Sequence, residues 1–127
     1  MKILAIVGLG GFLGAVCRHM MSEFVARNYN GVFPFATLIV NVFGCFLLGL
    51  CIFFLEKNTH LSPAIKLGLG TGFLGAFTTF STFGVETHNL LTQGEQMKAF
   101  LNVGGNLFLG LIAVFVAFHF VETICQS

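Results

Sequence analysis

Aspartate and tryptophan do not occur in this chain of 127 residues, and charged side chains make up only 9% of it. A soluble domain draws about a quarter of its residues from Asp, Glu, Lys and Arg, so the charge present is too little for a water-facing surface. The net charge of +1 shows no basic or acidic surplus, which removes nucleic acid and acidic partners from consideration. Cysteine is sparse: Cys17, Cys45, Cys51 and Cys125 follow no C-x-x-C or zinc spacing, and the first three lie in apolar runs where a thiol is a small hydrophobe. No disulfide framework is expected. Ser81 and His88 have no acid placed beside them, the four histidines have no metal-ligand spacing, and no ATP motif is present, so an enzyme is not expected either.

What remains is apolar. Hydrophobic residues are 56% of the chain, Phe alone occurs 17 times, and the mean hydropathy is +0.92. A hydrocarbon core about 30 Å thick is crossed by about 20 helical residues. Stretches approximately at 3–25, 33–55, 63–91 and 97–121 qualify, joined by short polar links such as Arg27-Asn28-Tyr29-Asn30-Gly31 and Glu56-Lys57-Asn58-Thr59-His60. The beginning imitates a signal peptide, but Arg18 and His19 stand where a small-residue cleavage site belongs, so it reads as a retained span. The expectation is an all-α integral membrane protein with four transmembrane helices, residues 1–127 forming a single domain whose main neighbour is lipid.

Orientation normally follows the Lys/Arg bias between loops. Here Lys2, Lys57 and Lys66 face Arg18, Arg27 and Lys98, a tie. Either another sorting signal decides, or the chain inserts both ways and the two orientations pair as an antiparallel dimer. Glycines at Gly10 and Gly14, and at Gly68 and Gly72, recur at i, i+4 and predict close helix contacts. The same glycines make Gly70-Thr71-Gly72-Phe73-Leu74-Gly75 read G-x-G-x-x-G, yet no strand precedes it and dinucleotide binding is not expected.

Polar residues inside the spans carry more information. Thr37, Asn41 and Cys45 share one helix face, and Asn102, Asn106 and Gly110 share another. Any single Asn serves equally well to hold helices together. Two such stripes alongside the run Gly75-Ala76-Phe77-Thr78-Thr79-Phe80-Ser81-Thr82-Phe83-Gly84 favour a lined path. In that run the hydroxyls compete for backbone hydrogen bonds and glycines loosen both flanks, so the third helix should break near mid-membrane. Irregular backbone at that depth is tolerated where it faces a cavity, and half-helix ends there offer carbonyls to a cation or N–H groups to an anion. Phe80 and Phe83, three apart, bring two rings whose positive edges can face a halide, although most such pairs merely pack.

Residues 75–83 closely resemble the G-G-F-T-T-F-S-T-F signature of the Fluc or CrcB family of small dual-topology fluoride ion channels. Gly10-Gly11-Phe12-Leu13-Gly14-Ala15-Val16-Cys17-Arg18 is similar to that family's first-helix motif, and Thr37-Leu38-Ile39-Val40-Asn41-Val42-Phe43-Gly44 to its second. Departures are Ala76 for a second Gly, Ala36 for a Gly before Thr37, His19 for an aromatic, and a fourth helix without Ser or Thr, which leaves Asn102 and Asn106 as its polar track. The resemblance implies a fluoride-selective passive channel that relieves fluoride toxicity, a multi-pass protein of the bacterial inner membrane working as an antiparallel homodimer. It places Phe80, Phe83, Asn41, Ser81 and Thr82 on the fluoride pathway, to which the polar stripes add Thr37 and Asn106. It implies a structural sodium ion on backbone carbonyls of Gly75 and Thr78 at the dimer interface. Arg18 is expected to hold helices together or to attract anions at a vestibule, and Glu86 to be a mouth residue or simply a solvated helix end.

Two other classes compete. A proton-coupled small multidrug-type exporter needs a carboxylate at the centre of a span, whereas Glu23, Glu56, Glu86 and Glu122 read as lying near ends. A non-transporting membrane assembly subunit would account for the glycines and amides but not for hydroxyls mixed with phenylalanines. The charge tie yields a direct test: adding Lys or Arg to one set of loops should fix one orientation and abolish fluoride resistance in cells, and co-expression of oppositely biased versions should restore it. Full resistance from one fixed orientation would exclude dual insertion.

Overall fold

The structure, a computed structural model, describes residues 1–58 and 60–125; Thr59 of the second polar link and the Cys125 side chain lie outside them. In chain order it comprises α1 (Lys2–Asn28), α2 (Phe35–Lys57), α3 (Pro63–Leu67), a π-helical stretch Gly68–Leu74, α4 (Gly75–Phe77), α5 (Phe80–Thr92), α6 (Gln96–Gly104), a second π-helical stretch Gly105–Leu109, and α7 (Gly110–Cys125). Among the described residues three helices are long and apolar enough to cross a membrane: Lys2–Asn28, Phe35–Lys57 and Gln96–Ile124. The protein is therefore an all-helical, multi-pass membrane protein. The segment expected as a further span is helical too, but it is divided at Thr78–Thr79.

Local chemistry explains where these elements start and stop. Ser62 caps α3 by accepting from the Ile65 N–H at 3.4 Å, with Pro63 at the first helical position. The end of α5 is a Schellman turn: Glu95 N–H donates to Leu90 C=O at 2.9 Å and Gly94 N–H to Leu91 C=O at 3.1 Å. That turn needs the left-handed φ of 78° that Gly94 supplies. At the break, Thr78 (φ −77°, ψ 157°) and Thr79 (φ −147°, ψ 117°) are both extended. Thr79 then restarts the helix, its Oγ1 accepting from the Thr82 N–H at 3.2 Å.

Close packing positions the break. α1 lies against residues 68–77 through the expected glycine faces. A Cβ on Gly10 would meet the Gly68 carbonyl oxygen, one on Gly14 the Phe73 carbonyl oxygen, and one on Gly72 the Val7 carbonyl oxygen at 2.7 Å. Phe77, just before the break, is buried between Phe43 of α2 and Phe73, each ring centroid 6.3 Å away. On the other side α2 packs on α7, where Gly49 admits Ala117 and Val114, and Val40, Ala117 and Val121 are buried.

Gly14→Ala should therefore force α1 off residues 68–77, because the obstacle is backbone and cannot rotate away. A loss of about 1–3 kcal/mol is expected, seen as a lower midpoint in thermal unfolding of detergent-purified protein. Gly8→Ala, where a Cβ meets nothing within 4 Å, should keep the parental midpoint.

Candidate functional site

The helix break is held by one amide. Asn41 of α2 grips the Thr79 peptide from both sides: Oδ1 accepts from its N–H at 2.8 Å, and Nδ2 donates to its carbonyl at 3.0 Å. In a continuous helix the Thr79 N–H would close on the carbonyl four residues back, that of Gly75. Asn41 takes that donor, so the Gly75 carbonyl loses its helical partner. The second N–H of Asn41 goes to Asn106 Oδ1 at 2.8 Å. Asn106 in turn donates to the backbone and side-chain oxygens of Asn102, both at 3.0 Å. Asn102, with 0% of its surface exposed, donates to Thr87 Oγ1 at 2.9 Å, and Thr87 donates to the Phe83 carbonyl at 2.8 Å.

Beside this chain lies a cavity of about 470 Å³ lined by Asn41, Cys45, Thr78, Thr79, Phe80, Phe83, Val103, Asn106 and Leu107. The Phe80 and Phe83 rings stand 5.3 Å apart, tilted by 54°. Phe83 is half-buried, whereas Phe80 is 83% exposed on the outer face of the chain. No carboxyl, amine, guanidinium or imidazole group lines the cavity. Amide and hydroxyl groups next to aromatic edges, with no competing carboxylate, form surroundings that a small anion can enter and leave.

The structure thus brings Asn41, Asn106, Phe80 and Phe83 to one cavity. Ser81 and Thr82 are exposed and stand aside from it, their hydroxyls within 3.3 Å and 3.0 Å of Thr79 Oγ1. Thr37, one turn from Asn41, points elsewhere: its hydroxyl donates to Glu86 Oε1 at 2.7 Å. Glu86 is accordingly not a solvated helix end. It is half-buried, its Oε2 is enclosed without a protein partner among the described residues, and it borders a second cavity of about 310 Å³ with Tyr29, Pro34, Asn89 and Gln93. Arg18 reaches the break itself, with Nη1 3.5 Å from the Thr78 carbonyl, the outer limit of a hydrogen bond. The Thr78 hydroxyl turns back onto Leu74 C=O at 3.3 Å. Asn102, expected on the polar track, is fully buried and does not line this cavity. Sequence reasoning read Thr79 only as part of the helix break and passed over Thr87. Thr79 carries an N-cap signal three residues before Thr82, and Thr87 lies one helical turn beyond Phe83.

These features define a class: a multi-pass helical membrane protein in which a largely apolar cavity, with uncharged amide and threonine groups in its wall, opens at a broken helix. A family model described as CrcB-like protein, Camphor Resistance (CrcB), matches residues 5–118. Fluoride-specific ion channel FluC of Shewanella baltica is 48% identical over 116 residues, covering 91% of this chain and 93% of that protein. Fluoride-specific ion channel FluC of Shewanella oneidensis is 47% identical over the same shares. The chain belongs to the CrcB family.

Asn41→Leu keeps the branched shape but leaves both sides of the Thr79 peptide without a partner. Each buried group so orphaned costs about 1–3 kcal/mol. Urea or thermal unfolding in detergent should register a loss at least as large as one such group, and a parental midpoint would mean that the break does not depend on this amide.

Proposed function

We propose that this chain is a fluoride-selective passive channel of the bacterial inner membrane that lets cytoplasmic fluoride escape. The observation that carries the reading is the meeting of two phenylalanine rings and the Asn41 amide in one neutral cavity, in a chain 48% identical to a protein named a fluoride-specific ion channel. Hydrogen fluoride enters cells as a neutral species and dissociates inside, and the anion cannot recross lipid unaided. A passive leak is sufficient, and the family is one of channels, not enzymes.

In this reading α3 to α5 together make the third of four spans, and two copies pair in antiparallel orientation. Support comes from the outer face of the break, where Phe80, Ser81 and Thr82 are all exposed. Thr79 Oγ1 meets only part of the hydrogen-bonding capacity of those hydroxyls and hydrocarbon can meet none of the rest, so a second copy is the natural cover. Phe80, Phe83, Asn41 and Asn106 would then line the fluoride path, with Ser81 and Thr82 joining it at the seam and Thr37 with Glu86 toward one mouth.

A structural sodium ion fits the Gly75 carbonyl, which Asn41 has deprived of its helical donor, since a hard monovalent cation suits neutral oxygens. The Thr78 carbonyl would be shared with the Arg18 guanidinium. Bound there, sodium would supply positive charge that draws the half-helix ends of two subunits together. Arg18 primarily ties α1 to the break.

Purified protein in liposomes loaded with potassium fluoride should release fluoride down its gradient; proton-driven cation uptake would instead favour an exporter, and no flux an assembly subunit. Phe80→Ile and Phe83→Ile should each slow release sharply while costing less than about 1.5 kcal/mol of stability, because the aliphatic side chain fills space without a positive ring edge. A folded double variant releasing fluoride at the parental rate would overturn the role of the rings.

A further inference from the structure

Side chains from three helices form a hydrogen-bond chain with a fixed direction. It begins at the Thr79 N–H, which can only donate, and passes through Asn41, Asn106, Asn102 and Thr87 to the Phe83 carbonyl, which can only accept. Each amide between those ends has one orientation that satisfies both neighbours. Turning any one of them over would set N–H against N–H or oxygen against oxygen. The two ends flank the single turn that carries Phe80 and Phe83, so the chain closes as a loop over that turn.

The loop also decides which donors face the cavity. Asn41 has two amide N–H groups, engaged by the Thr79 carbonyl and Asn106 Oδ1. Both N–H groups of Asn106 are engaged by Asn102. Among the described residues, no side-chain amide N–H lining the cavity is left over for an anion. The bond that can be exchanged without disturbing the break is Asn41 Nδ2 to Asn106 Oδ1, in which an anion would replace one acceptor by another.

We infer that Thr87 and Asn102 are positioning residues for anion passage. Neither lines the cavity, yet together they turn Asn106 so that its oxygen rests on the Asn41 donor and yields it to the passing anion. Such a stand-in acceptor keeps Asn41 satisfied between passages and makes binding an exchange, which favours release.

The flux readout rests on the fluoride-channel reading, so a second readout is independent of it. Thr87→Val keeps the volume and loses the hydroxyl; Thr87→Ser keeps the hydroxyl and loses the methyl group. Thr87→Val should slow fluoride release from liposomes roughly tenfold, the factor corresponding to one lost hydrogen bond to a buried amide, and Thr87→Ser should stay near the parent. Water exchange of the Asn41 side-chain amide protons, followed by NMR on 15N-Asn protein, should be faster in Thr87→Val than in the parent. Because Thr87→Val strands an Asn102 N–H, its size-exclusion profile is compared with that of Thr87→Ser before release is read, and slow release from a folded Thr87→Val alongside near-parental release from Thr87→Ser supports the assignment. Parental flux and parental amide exchange in Thr87→Val would overturn the assignment, as would equal losses in Val and Ser. A parent that releases no fluoride defeats the channel reading, and the amide exchange then decides the assignment alone.

Discussion

The clasp of Asn41 on the Thr79 peptide is the interaction on which the rest of the molecule depends. An extended residue amid packed helices exposes an N–H and a C=O, each costing about 1–3 kcal/mol if left bare. One asparagine amide has the donor and the acceptor to meet both, at 3.0 Å and 2.8 Å. The chain can therefore leave the helix for two residues and resume it displaced. The displacement sets Phe80 and Phe83 beside the cavity, frees the Gly75 carbonyl from the helical ladder, and gives Thr79 its role as the cap of α5.

Around that clasp, partial charges do the work that ionised groups do elsewhere. The cavity is lined by amides, threonines, a thiol and apolar side chains. Arg18 and Glu86 are turned to other tasks. Arg18 lies against the Thr78 carbonyl, and Glu86 is held by Thr37 at 2.7 Å beside a separate cavity. Full charges in a low-dielectric cavity would hold an oppositely charged ion strongly or exclude a like one. In the proposed channel, dipoles and ring edges would allow entry without capture, which is the balance that conduction requires.

Much of this was legible in the sequence because its signals are local or periodic. The apolar runs marked α1, α2 and the rod from α6 to α7, and the i, i+4 glycines marked the face on which α1 meets residues 68–77. The hydroxyl-rich stretch marked the break, because Thr-Thr followed by Ser-Thr conflicts with a helix on propensity alone. What was not legible depends on which way a side chain points across helices. Thr37 and Asn41 share a face, yet one serves Glu86 and the other Thr79. Asn102 and Asn106 are likewise one turn apart, yet one is sealed in and the other lines the cavity. Periodicity gives a face, whereas the neighbour on that face is set by helix rotation, and the π-helical stretches at 68–74 and 105–109 alter that rotation locally. Thr87 escaped notice because a lone threonine in a helix commonly bonds its own backbone, as this one also does.

The partner of α1 lies far along the chain: Gly14 fits against Phe73, and Arg18 reaches Thr78, 60 residues later. This separation dictates an order of assembly. While the chain emerges from the ribosome, α1 and α2 enter the bilayer before the segment that α1 is shaped to receive has been made. Until then the bare glycine face of α1 and the unpaired guanidinium of Arg18 are met only by lipid, water or the insertion machinery. Arrival of residues 63–77 thus supplies the surface α1 is shaped for, α2 still waits for α7, and docking of later helices on earlier ones, not insertion, completes the tertiary structure of this small protein.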